Sequence, residues 1–121
     1  MSEAKSNLKA SFVLDSNGKP IGRSTGNYEI KVSVDNAPED AYATTYRLHD
    51  SYYDPIREAY SKEDGFTQDI TSYGDYIITA RIRTKSSPIE IKESLYNALL
   101  KTHGNDTDPV ILKALDEIRS K

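Results

Sequence analysis

The chain has no cysteine, no tryptophan and a single methionine. Without cysteine it can form neither a disulfide nor a thiolate zinc site, so packing must hold the fold. Long apolar runs are also missing, and no stretch approaches the length of a membrane span. Residues Met1 to Leu8 include Ser2, Glu3, Lys5 and Asn7, not the apolar core of a signal peptide. These absences predict a cytoplasmic protein with no membrane partner. An excess of positive charge is lacking too. Sixteen basic residues face nineteen acidic ones, for a net charge of -3. Nucleic-acid binders gain most of their affinity by neutralising phosphates, so no nucleic-acid partner is expected.

What the chain does have is tyrosine: nine, beside two phenylalanines. Tyrosine pairs an apolar ring with a polar tip, which suits strands and half-wet surfaces alike. The length of 121 residues is that of one domain. Composition shifts near position 94, from alternating Tyr, Thr, Val and Ile to Leu, Ala and Lys at helical spacing. A β-sandwich over 1–93 and a helical extension over 94–121, packed on or beside it, are therefore expected.

Alternation marks the strands. Leu8, Ala10, Phe12 and Leu14 share one face. Asp15-Ser16-Asn17-Gly18 is turn chemistry, with Asn-Gly suited to positive φ, and a short edge strand through Pro20 to Arg23 follows. Tyr28, Ile30, Val32 and Val34 form the cleanest set. Tyr42, Thr44, Tyr46 and Leu48 line another. Residues 49 to 65 read as irregular, with Pro55 and Gly65 as breakers. Phe66 to Ile70 is a short strand, and Tyr76, Ile78, Ala80 and Ile82 lie on one face of the next. Ser87-Pro88-Ile89-Glu90 reads either as a helix start or as the entry to a strand. The alternation over 89–93 favours a strand, followed by a helix from about Ser94 to His103 that Gly104 ends. Asp108-Pro109 opens a last helix with Ile111, Ala114, Leu115 and Ile118 as its buried stripe. The fold class is all-β: an immunoglobulin-like antiparallel β-sandwich with one or two C-terminal helices.

Chemistry-bearing clusters are few. His49-Asp50-Ser51 is no hydrolytic triad, because neighbours on alternate sides of a strand do not converge. His103, the other histidine, is expected at a helix end, where a cation is favourable. Two distant histidines make a poor zinc site. Arg81, Arg83 and Lys85 form a small basic strip that reads as a solvated strand face. No catalytic residue, metal or cofactor is expected.

The informative segment is 46–82. If the chain stays extended beyond Leu48, His49 and Ser51 project to one side, with Tyr52 beside them. Some twenty residues on, Tyr73 precedes Gly74, where a backbone can approach a ligand closely. Loops at one end of a sandwich cluster, so the two segments form two walls of one slot. The bland alternative stays open: His49 bonded to a local carbonyl, and Tyr52 and Tyr73 packed on the rim.

Leu48-His49-x-Ser51-Tyr52-x-x-Pro55 resembles the L-H-x-S-F-x-x-P signature of YEATS domains. Ser72-Tyr73-Gly74-Asp75-Tyr76 resembles their aromatic-glycine motif, and the spacing between the two, with Phe66 between them, matches. The likeness spans roughly Tyr28 to Ile82. The short form, with no basic tail, looks most like the prokaryotic YEATS-like branch. Tyr52 and Tyr73 stand where Phe and Trp are commoner, Ser72 replaces a glycine, and a further family aromatic falls near Ser24.

The resemblance implies a non-catalytic reader of acylated lysine, or of another small planar group. Ser51 becomes the hydrogen-bonding hydroxyl, Tyr52 and Tyr73 the stacking rings, and His49 a wall. Gly74 lets a backbone N–H reach the acyl carbonyl. A neutral amide stacks well on aromatic faces, whereas an ammonium would lose hydration in the same slot. The alternative is a protein–protein adaptor in a prokaryotic signalling or defence assembly, contacting a partner through the C-terminal helices. Leu95, Leu99 and Leu112 are then partner-surface candidates.

Overall fold

The computed structural model describes residues 6–21, 28–50, 52, 54–72 and 74–120. Seven strands run in order: β1 (Asn7–Phe12), β2 (Tyr28–Asp35), β3 (Ala41–Arg47), β4 (Ile56–Ala59), β5 (Gln68–Ser72), β6 (Ile77–Thr84) and β7 (Ile89–Ser94). Helices α1 (Leu95–His103) and α2 (Pro109–Ser120) follow. The strands form two antiparallel sheets, β1-β2-β5 and β4-β3-β6-β7. This is the expected sandwich with two terminal helices. No helix among the described residues is long and apolar enough to cross a membrane.

The core follows from the alternation. Leu8, Ala10 and Phe12 of β1 and Ile30, Val32 and Val34 of β2 are buried against Tyr46, Ile78, Ala80 and Ile82 of the other sheet. Each fully buried aliphatic or Phe side chain contributes about 1.5–3 kcal/mol. The Tyr46 ring is fully buried, and its hydroxyl donates to the carbonyl of Phe66 at 2.7 Å. Burial, then the nearby Asp64 charge, pushes the Tyr46 phenol far above its ordinary range.

Several expectations need correction. Tyr42 is 53% exposed, because a β-bulge between Ala41 and Ala43 adds one residue against β6 and flips the phase. Leu14 lies past the end of β1, in an isolated bridge to Pro20, and is half exposed. The turn there is not the two-residue kind. The N–H of Gly18 donates to the carbonyl of Asp15, and only Gly18 takes a positive φ of 76°. That is a type I turn closed by a left-handed glycine. Gly22 and Arg23, in the proposed edge strand, lie outside the described residues. Ile56–Ala59 is a strand within the segment read as irregular; pairing with β3 imposes it. Phe66 precedes β5 with φ 57°, so it is a turn residue whose ring enters the core.

The ambiguous segment is a strand and then a helix. Ser94 caps α1, its hydroxyl accepting from the N–H of Asn97 at 3.1 Å. Gly104 ends α1 while staying right-handed; a Cβ there would sit 2.5 Å from the Leu100 carbonyl oxygen. In α2 the buried residues are Ile111, Ala114, Leu115 and Ile118, as the spacing predicts. Leu95 and Leu99 are fully buried core, which corrects their candidacy as a partner surface; Leu112 is 44% exposed.

Helix α1 covers the unpaired edge of β1. Lys101 donates to the carbonyl of Leu8 at 2.9 Å, and Nε2 of His103 accepts from the N–H of Phe12 at 3.1 Å. The other ring nitrogen of His103 lies 2.7 Å from Asp106 Oδ2. An acceptor Nε2 requires the neutral ring with its proton on Nδ1. His103 does end α1, as expected, but there it serves as a buried plug of the β1 edge rather than as a helix-end cation.

Candidate functional site

The β3–β4 loop and the β5–β6 connection meet at one end of the sandwich. The chain does not stay extended after Leu48. The N–H of Tyr52 donates to the carbonyl of His49 at 3.1 Å, and the N–H of Leu48 to that of Pro55 at 2.7 Å. Tyr52 is thereby turned back toward β5. There the Tyr52 hydroxyl donates to the carbonyl of Thr71 and accepts from the Tyr76 hydroxyl at 3.0 Å.

Three rings gather here. Tyr52 and Tyr76 have centroids 5.7 Å apart with planes inclined at 57°. His49 meets Tyr76 edge-on, at 5.9 Å and 68°. Such tilted pairs set the positive ring edge against the negative face of the neighbour. Tyr52 and Tyr76 are half-buried, and His49 is exposed. Burial first, and then the Tyr52 hydrogen bond, raises the Tyr76 phenol far above its ordinary range. The Tyr76 phenol therefore keeps its proton at physiological pH, and the two rings act as apolar walls whose hydroxyls are held by hydrogen bonds.

Gly74 is buried, and its N–H faces the Ser72 hydroxyl at 3.3 Å. The same hydroxyl donates to the Gly74 carbonyl at 2.7 Å. Asp75 turns the other way, its carboxylate accepting from the N–H of Tyr96 at 2.9 Å, while the Tyr76 carbonyl accepts from Leu95. The β5–β6 connection is thereby pinned to the start of α1.

Of the sequence candidates, His49 and Tyr52 are brought together, and Gly74 lies on the neighbouring connection. Ser51 and Tyr73 lie outside the described residues. Tyr76 joins the ring cluster although the alternation assigned it only to a strand face. The one available signal was its place as the last residue of the aromatic-glycine motif. Two clefts lined by described residues, each of about 330 Å³, lie elsewhere on the two sheets. Among the described residues no group of three or more His, Asp or Glu side chains is placed to hold a metal ion.

No protein-family model matches the sequence. No curated protein matches it significantly. Solved structures do resemble it. The Yaf9 YEATS domain bound to H3K27ac superposes with a TM-score of 0.54 at 16% identity, over 78% of each chain. The Yaf9 YEATS domain recognising an H3K122suc peptide gives 0.51 at 14%, over 78% of this chain and 77% of that one. The yeast AF-9 homolog Yaf9 gives 0.54 at 17%, over 74% of this chain and 63% of that one. The fold is that of a YEATS domain. These neighbours do not bear on the prokaryotic branch.

Proposed function

We propose that this chain is a non-catalytic binding module whose loop-end aromatic cluster takes a flat, neutral group, with an acylated lysine side chain as the leading ligand. The observation that carries this reading is the meeting of His49, Tyr52 and Tyr76 at the sandwich end. Three further points support it: the YEATS fold, the L-H-x-S-Y-x-x-P motif on this loop, and the peptide-bound state of the Yaf9 neighbours. In the proposed slot His49 and Tyr52 form one wall and Tyr73 the other. Ser51 supplies the hydroxyl and Gly74 the close backbone approach.

The physics favours a planar amide. It offers a π-face to the rings and one carbonyl to a donor, and it sheds little hydration. An unmodified lysine would have to give up the hydration of its ammonium to enter the same slot. The test is calorimetric titration with acetyl-, crotonyl- and succinyl-lysine peptides beside the unmodified peptide. Binding by at least one acyl form and none by the free amine supports the reading. Ser51→Ala and Tyr73→Ala should abolish binding with little change in Tm. Silence from every acyl peptide at millimolar concentration contradicts it.

A further inference from the structure

The outer face of the four-stranded sheet differs in character from the rest of the molecule. The chain carries a net charge of -3, yet Arg47, Arg81, Arg83 and Lys92 all sit on this face, against Glu58 and Glu90. Glu58 is already engaged by Arg83 at 3.0 Å and by the Tyr60 hydroxyl at 2.5 Å. Arg47, Arg81 and Lys92 are exposed and form no ion pair among the described residues.

The same face gathers exposed apolar side chains. Among the described residues, Tyr42, Ile56, Tyr60 and Ile77 are each more than half exposed, and all four lie here. Tyr42 is here because of the β-bulge. Without the extra residue it would turn into the core, and bulges characteristically re-aim a side chain in this way. Tyr42, Arg81, Arg83, Thr84 and Pro88 line a cleft of about 330 Å³. With Arg83 held by Glu58, the Arg81 guanidinium beside an aromatic ring and a proline makes a receptor for a carboxylate on a short stem.

We propose that this sheet face docks an acidic, extended protein segment bearing apolar side chains. Its carboxylates lie over Arg47, Arg81 and Lys92, the exposed cations that form no ion pair among the described residues, and its apolar residues over Ile56, Ile77 and Tyr42. Charge complementarity selects this occupant. Fork-shaped guanidiniums match carboxylates in two-point contacts, and the interleaved aliphatic surface matches a peptide better than a phosphate backbone. The acidic character of the whole chain further disfavours nucleic acid. The proposal does not depend on the loop-end slot, which lies outside this face.

The test is an NMR titration of the isotope-labelled full chain. The probes are a short synthetic peptide alternating glutamate with leucine, its lysine–leucine counterpart and a short DNA duplex. The expected result is saturable shifts at Thr45, Ile77, Thr79 and Arg81 with the acidic peptide alone, weakening as salt rises. Arg81→Glu with Arg83→Glu should weaken binding by about tenfold or more, and Arg81→Gln, which keeps a polar side chain on an exposed site, by about threefold. Tyr42→Ala should weaken it without altering the salt dependence. Four results overturn the proposal: no binding of the acidic peptide, shifts confined to other surfaces, equal binding of the lysine peptide, or tighter binding of the duplex. Concentration-dependent self-association that masks the same residues also overturns it, by making a second copy the occupant.

Discussion

The sandwich has two unpaired sheet edges beside its three-stranded sheet, and it closes them differently. At β1 the cover is a helix: α1 lies along the edge, and Lys101 and the buried His103 satisfy backbone groups of Leu8 and Phe12. At β5 the cover is a pair of single side chains. The Tyr52 hydroxyl takes the Thr71 carbonyl, and the Arg57 guanidinium lies 3.4 Å from that of Asp69. Exposed edges invite pairing with other chains, so both need closing. The β1 edge is closed by residues that take no part in the candidate site. The β5 edge is closed in part by a residue of the candidate site itself. Fold and proposed binding therefore share Tyr52, and not His103.

Breaking the β1 side should have the largest effect. His103→Ala leaves the buried Phe12 N–H unpaired and opens a cavity beside the Phe12 ring, which lies 5.3 Å from the imidazole. A loss of about 2–4 kcal/mol in chemical denaturation is expected, with ligand binding by the folded fraction unchanged. Breaking the β5 side should cost less and reveal the sharing. Tyr52→Phe keeps the ring and removes the hydroxyl that links Thr71 to Tyr76. It should cost about 1–2 kcal/mol while leaving acyl-peptide affinity within a few-fold, whereas Tyr52→Ala should lose both. A double-mutant cycle with Tyr76→Phe should show coupling of about 0.5–1 kcal/mol.

Alkaline pH sharpens the comparison. Tyr46 and Tyr76 keep their protons in the fold well above the ordinary tyrosine range, mainly through burial. The unfolded chain releases them near pH 10, so the folded state binds more protons above that point. Stability is therefore complete below about pH 10 and falls as pH rises, by about 1.4 kcal/mol per pH unit for each such phenol. Denaturation midpoints measured between pH 8 and about 12 check this, and Tyr76→Phe should flatten the slope. The smallest effect belongs to Leu112→Ala on the exposed side of α2, within about 0.5 kcal/mol.

The two regions also differ in how far the sequence revealed them. Core strands with one wet face declare themselves by alternation, as β2 does, and α2 does so by its helical stripe. Features set by tertiary contact do not. The phase of β3 depends on one extra residue at Tyr42, which no local pattern marks. Ile56–Ala59 is too short to alternate and is a strand because β3 lies beside it. Phe66 reads as a strand residue but takes a left-handed turn, because its ring must reach the core while Gly65 passes close to Val34. His103 plugs an edge 91 residues away in sequence, a distance no motif spans. At the candidate site the motifs gave His49 and Tyr52 a role, while Tyr76 stood at the end of the aromatic-glycine motif without one, although its hydroxyl and ring bind the cluster together.

The most direct measurement is an NMR titration of the labelled chain with an acetyl-lysine peptide, following the amides and rings of 48–55 and 71–76. The account predicts saturable shifts centred on His49, Tyr52, Gly74 and Tyr76, and none from the same peptide with a free lysine. Shifts that avoid this loop end, or equal shifts from both peptides, would contradict it.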